Sequence, residues 1–198
     1  MFSIIQAAGW PIWPLIVCSI LALALIVERF LALKKAKVAP DNLLQEAISV
    51  SSVNLPTPDV VNQLGQNSVL GEVLASGLRA VNNEPRISEV DLRATMENTG
   101  RLVAQRLEKS LTALATIASA APLLGLMGTV IGMIEIFGSQ GGPGNNPAQL
   151  ASGISTALYC TAFGLIVAIP ALIFWRYFRS CVDSYLLTVE LSAEQFVR

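Results

Sequence analysis

The chain has 198 residues, of which 53% are hydrophobic and only 14% charged, well below the roughly 25% charge of an ordinary soluble domain. A net charge of −1 supplies no basic field for nucleic acid, which is excluded as a partner. There is no histidine, the commonest proton shuttle and metal ligand, and Cys18, Cys160 and Cys181 have no metal-ligand spacing, so no metal or other cofactor is expected and the cysteines read as reduced.

From the N-terminus, no charge occurs before Glu28. A spanning helix needs about 20 mostly apolar residues, and the apolar body that starts at Trp10 meets that length. The basic cluster Lys34, Lys35 and Lys37 follows the apolar run, whereas a cleavable signal places its basic residues before it. A retained first transmembrane helix is therefore expected over 10–30, behind an outer segment at 1–9.

Residues 31–109 are expected to form a cytoplasmic helical segment rather than one compact domain. Residues 41–50 read as a short helix, 51–58 as a linker because of Pro56 and Pro58, and 69–83 as a second helix closed by Glu84-Pro85-Arg86. Ser88 with Asp91 three residues on is a capping-box pattern. The helix it opens carries Leu92, Met96, Val103, Leu107, Leu111 and Leu114 on one face and runs without a break into a second span at 110–137. From Ser88 to Phe137 such a helix measures about 75 Å at 1.5 Å per residue. Only about 30 Å of that fits in hydrocarbon, so the rest projects into the cytoplasm.

Residues 138–147, rich in glycine, proline and asparagine, cannot continue a helix in lipid and are expected as an outer loop. A third span follows at 148–175. Beyond it, Phe178, Val182, Tyr185, Val189 and Phe196 keep helical spacing, which predicts a cytoplasmic C-terminal helix over 176–198. All thirteen basic residues fall on one side of this arrangement: Arg29, nine from Lys34 to Lys109, and three from Arg176 onward. The N-terminus is then outside and the C-terminus cytoplasmic, with Trp10 and Trp13 at the outer interface and Trp175 and Tyr177 at the inner one. The fold class is an all-α integral membrane protein with three transmembrane helices, the second and third extending far into the cytoplasm. Two narrow apolar stripes cannot bury so short a soluble side alone, so self-association is expected.

Within the membrane, Ala118, Ala121, Gly125, Gly128 and Gly132 form a stripe on span two with Thr129 at its edge, and Ala157, Thr161, Gly164 and Ala168 share a face of span three. Close helix packing accounts for the small residues. Pro122 and Pro170 each free a backbone carbonyl, which helices near a polar cavity tolerate. Thr129 and Thr161 either line a polar path or bond back to their own helices. No carboxylate or basic side chain falls in mid-span; Glu28 and Glu135 sit at span ends, where snorkelling to the interface is the ordinary reading. The chain thus offers polar lining but no titratable proton carrier, so any ion path needs an ionisable group from a partner. It shows no nucleophile–base pair or metal cluster, so no enzyme is expected.

The stretch Ala121-Pro-Leu-Leu-Gly-Leu-Met-Gly-Thr-Val-Ile-Gly-Met133, preceded by Leu107-Glu-Lys-Ser-Leu111, resembles the second-span signature of the ExbB/TolQ/MotA proton-channel family. Residues from Gly153-Ile-Ser-Thr156 to Ala168-Ile-Pro-Ala171 resemble its third-span signature, and Trp13-Pro14 and Glu28-Arg-Phe30 the first span of ExbB homologues. Three spans and modest length favour the ExbB/TolQ branch over MotA, which has four. The resemblance implies a bacterial inner-membrane subunit with a periplasmic N-terminus, assembled as a pentamer whose second and third spans line a pore. An ExbD- or TolR-like single-span partner supplies a proton-carrying aspartate there, facing Thr129 and Thr161, and a TonB- or TolA-like protein carries the resulting motion to the outer membrane. On this reading Pro122, Gly125, Gly128, Gly132, Ala157, Gly164, Ala168 and Pro170 pack the pore region. ExbB and TolQ of enteric type carry a glutamate where this chain has Thr156. A scaffold that anchors a partner without conducting ions is the alternative.

Overall fold

The computed structural model describes residues 12–40, 43–45, 48–49, 57–139 and 147–197. The expectations for the outer segment 1–9, for Trp10, and for most of 41–56 and of the loop at 138–147 lie outside the described residues. The described residues include the helices α1 (Ile12–Ala32), α2 (Lys35–Val38), α3 (Pro58–Asn67), α4 (Val69–Asn83), α5 (Glu89–Ser139) and α6 (Pro147–Val197), and residues 43–45 and 48–49 are helical as well. No strand occurs among the described residues. Helices α1, α5 and α6 each contain a stretch long and apolar enough to cross a membrane. This is an all-helical membrane protein.

Local chemistry sets the boundaries. Ser88 Oγ accepts from the Asp91 backbone N–H at 3.1 Å and donates to the Asp91 carboxylate at 2.7 Å, so the capping pattern does start α5. Ser68 caps α4 in the same way, accepting from the Gly71 N–H at 3.0 Å. Pro58, read above as the end of a linker, is instead the first residue of α3. Proline suits that position because its missing N–H would have no partner in the first turn. The short, mostly polar sequence of α3 gave no periodic signal. Its close junction with α4 rests on Gly71, where a Cβ would collide with the Leu64 carbonyl oxygen.

The chain forms two compact units, residues 1–27 with 112–176 and residues 28–111 with 177–198. In the second, the expected stripes are the core. Leu92, Met96, Val103, Leu107 and Leu111 of α5 are buried, as are Phe178, Val182 and Val189 of α6, while Tyr185 and Phe196 are half-buried. The face of α4 closes over them: a Cβ at Gly77 would sit 2.8 Å from Met96 Sδ and 3.3 Å from Phe196. Arg106 pairs with Glu72, and Arg179 with Glu108 at 3.0 Å.

One buried charge was not foreseen. Arg29 is only 6% exposed. Its guanidinium donates to the Leu107 carbonyl at 2.9 Å and to both Glu28 carboxylate oxygens at 2.8 and 2.6 Å. Nearby, Phe30 meets Phe178 edge-on at 4.9 Å, and Tyr185 Oη donates to the Leu33 carbonyl at 3.2 Å. The last turn of α1 is therefore tied to both long helices. Charge-assisted bonds of this kind contribute about 1.5–3 kcal/mol each. Arg29→Ala is expected to lower stability by about 2–3 kcal/mol, seen as a lower thermal unfolding midpoint in detergent. Arg101→Ala, which removes only the exposed pair with Glu97, should change it by no more than about 0.5 kcal/mol.

Candidate functional site

The first unit holds the residues singled out in spans two and three. Ala118, Ala121, Gly125 and Gly128 are buried on α5, with Gly132 half-buried; Ala157, Gly164 and Ala168 are buried on α6. Gly125 and Gly164 form the closest crossing. A Cβ built on Gly125 would lie 2.8 Å from the Cys160 carbonyl oxygen, 3.0 Å from Thr161 Cα and 3.3 Å from Gly164 Cα. A Cβ on Gly164 would lie 2.7 Å from the Ala121 carbonyl oxygen and 3.2 Å from Gly125 Cα. These neighbours are backbone atoms and have no rotamer through which to withdraw, so only glycine fits. Further along, a Cβ on Gly132 would meet Ala157 Cβ at 3.1 Å, and one on Gly153 the side chain of Ile136.

The first span packs on this hairpin. Leu15 forms a buried cluster with Ala121 and Ala168, and Ile12 packs on Cys160. Part of the small-residue surface thus receives α1. Pro122 is half-buried, and Pro170 is exposed, outside that packed face.

Both threonines with described side chains are half-buried. Thr161 lies opposite Gly125. Thr129 lies four residues beyond Gly125, a displacement of about 6 Å along the helix, and so falls between the Gly125–Thr161 and Gly132–Ala157 contacts. The hairpin therefore brings the two threonines to within about one helical turn in level. The Thr129 hydroxyl donates to the Leu126 carbonyl at 2.7 Å, the back-bond to its own helix weighed as one reading of its role. Its oxygen lone pairs remain able to accept. Thr156 is helical, but its side chain lies outside the described residues.

Beside Thr129 runs an open groove lined by Val130, Met133, Ile134, Phe137 and Gly138. Val130, Ile134 and Phe137 are 52%, 65% and 61% exposed, so this face of α5 is apolar with one hydroxyl beside it. Glu135, near the end of the span, is exposed. No group of three or more metal-ligating side chains occurs among the described residues. The buried Arg29 is the polar residue that sequence reasoning missed. Its signal was positional: it falls three residues after buried Ile26 and four before buried Leu33, on the inward face of α1.

Residues 65–190 match the MotA/TolQ/ExbB proton channel family. Among similar proteins, the biopolymer transport protein ExbB-like 1 of Synechocystis sp. is 31% identical over 172 residues, covering 85% of this chain and 66% of its own length. The biopolymer transport protein exbB1 of Vibrio cholerae is 31% identical over 175 residues, covering 84% and 73%. The Tol-Pal system protein TolQ of Pseudomonas aeruginosa is 31% identical over 178 residues, covering 84% and 75%.

Adding side-chain volume at the crossing should separate α5 from α6. Gly125→Val and Gly164→Val are each expected to cost about 1–3 kcal/mol or more, read as a lower thermal midpoint in detergent. Gly138→Ala, whose Cβ would meet nothing within 4 Å, should leave the midpoint unchanged.

Proposed function

The chain belongs to the MotA/TolQ/ExbB proton channel family, and on that premise we propose that it is the channel-forming subunit of an energiser complex driven by the proton-motive force. The family is one of proton channels rather than enzymes. The observation that carries the reading is the glycine crossing: it sets two threonines at neighbouring levels of a hairpin whose mid-span stretches hold no carboxylate or basic side chain. Hydroxyls can pass or orient a proton by donating and accepting hydrogen bonds, but they cannot hold its charge at neutral pH. The proton carrier therefore comes from elsewhere: an aspartate on a single-span partner of the ExbD or TolR kind.

The spans at 10–30, 110–137 and 148–175 cross a bacterial inner membrane, with the N-terminus periplasmic and the C-terminus cytoplasmic. The distribution of lysine and arginine supports this orientation. The segments 31–109 and 176–198 lie in the cytoplasm, and 138–147 is the outer loop. Copies of the chain associate, five in the form the family resemblance implies, around the partner helices. The open apolar groove beside Thr129 is a surface such a helix can fill without leaving a polar group unpaired. Thr156 extends the same polar lining, in place of the glutamate of the enteric proteins, so the charge on the path is the partner's alone. Motion driven by proton flow passes to a TonB-like protein or a related envelope process, in keeping with the biopolymer-transport and Tol-Pal names of the relatives.

The test replaces both hydroxyls with methyl groups of the same shape, Thr129→Val with Thr161→Val, in the complex with its partner. Partner-dependent proton flux into vesicles is expected to fall about tenfold, the effect of about 1.4 kcal/mol on a barrier. Assembly should persist. Full flux in the double variant would sink the proposed path. No flux even from the wild-type complex would mark the chain as a non-conducting scaffold.

A further inference from the structure

The segment just past α1 presents charge that the channel reading does not use. From Phe30 to Pro40 the chain holds three lysines and no acidic residue. Lys34, Lys35 and Lys37 are all exposed, while Leu33, Val38 and Ala39 between and beside them are buried at 8%, 1% and 5%. Their backbone is fixed from within. The Leu33 N–H donates to the Arg29 carbonyl at 2.9 Å, those of Lys37 and Val38 to the Lys34 carbonyl at 2.8 and 3.2 Å, and that of Ala39 to the Lys35 carbonyl at 3.0 Å. Tyr185 Oη holds the Leu33 carbonyl from α6. The preceding acid, Glu28, is engaged by Arg29. The lysines are thus carried on an ordered turn.

Directly before them, Phe30 and Leu31 are 47% and 53% exposed, and Tyr177, whose ring centroid is 6.3 Å from that of Phe30, is 54% exposed. A soluble anion would need only the ammonium groups. An apolar and aromatic strip next to three cations matches a molecule with an anionic head and a greasy body. It also matches the depth at which aromatic side chains settle in a bilayer. A zwitterionic head carries its own cation, which the lysines repel. A net-negative head does not.

We propose that Lys34, Lys35 and Lys37, with Phe30, Leu31 and Tyr177, form a surface that binds the headgroup of an anionic phospholipid. Such a lipid anchors the inner end of α1 at the depth set by Phe30 and Tyr177. The proposal rests on the reading of α1 as a span, but not on proton conduction, so a chain unable to conduct would bind lipid equally well.

The test uses the full chain in nanodiscs of equal phosphatidylglycerol and phosphatidylcholine, with the lipids retained after detergent extraction counted by native mass spectrometry. Wild type should retain phosphatidylglycerol in preference. Lys34→Gln, Lys35→Gln and Lys37→Gln together should reduce that preference at least about tenfold, since each cation near an anionic surface acts additively. The corresponding triple change to arginine keeps the charge and should keep the preference, and added salt should narrow the difference between the two variants. Equal retention of both lipids by wild type, or an unchanged ratio in the glutamine variant, overturns the headgroup site alone. So does a loss in the arginine variant as large as in the glutamine one. Retention of neither lipid overturns the site as well.

Discussion

Two helices in hydrocarbon gain nothing by hiding apolar surface from each other, because lipid tails are as apolar as leucine. What remains to hold them is contact itself, and contact depends on how near the backbones can come. At the crossing of α5 and α6 that distance is set by Gly125 and Gly164, each of which has carbonyl oxygen or Cα atoms where a Cβ would be. The placement of Thr129 and Thr161 follows from it. So does the shelf on which Leu15 of α1 rests, since Ala121 and Ala168 flank the same crossing.

The unit built from residues 28–111 and 177–198 is held by different means. Here large side chains, among them Met96, Leu111, Phe178 and Val182, are almost fully buried, and removing each from water contributes about 1.5–3 kcal/mol. Ion pairs such as Arg106–Glu72 and Arg179–Glu108 lie at the surface and add little. Arg29 is the exception. Its charge is buried, yet its donors meet a carboxylate and a carbonyl, which is the condition under which a buried charge does not destabilise. By bonding to the Leu107 carbonyl it fixes the end of α1 against α5 with a directional contact that apolar packing cannot supply.

Glycine thus sets the crossing of α5 with α6, whereas in the other unit the close approaches at Gly71 and Gly77 stand beside a core of large buried side chains.

Much of this was legible in the sequence because its physical cause is local or periodic. The three apolar stretches, the Ser88 cap, the helix at 69–83 and the buried stripe from Leu92 to Leu114 each follow from hydropathy, spacing or capping chemistry within a few residues. The signatures around Gly125 and Gly164 identified the family. Helix α3 was not legible, because its apolar face is only Val61 and Leu64 in ten mostly polar residues, too short a run to show a period. Nor was the burial of Arg29, since a charge beside an opposite charge at a helix end ordinarily reads as exposed. Only the tertiary structure decided which small residues face which helix. Helical spacing places Ala121, Gly125 and Ala168 on inward faces, but that Gly125 meets α6 while Ala121 and Ala168 also receive Leu15 depends on the rotation of three helices about their own axes. That rotation is set by side chains distant in sequence, and no local pattern records it.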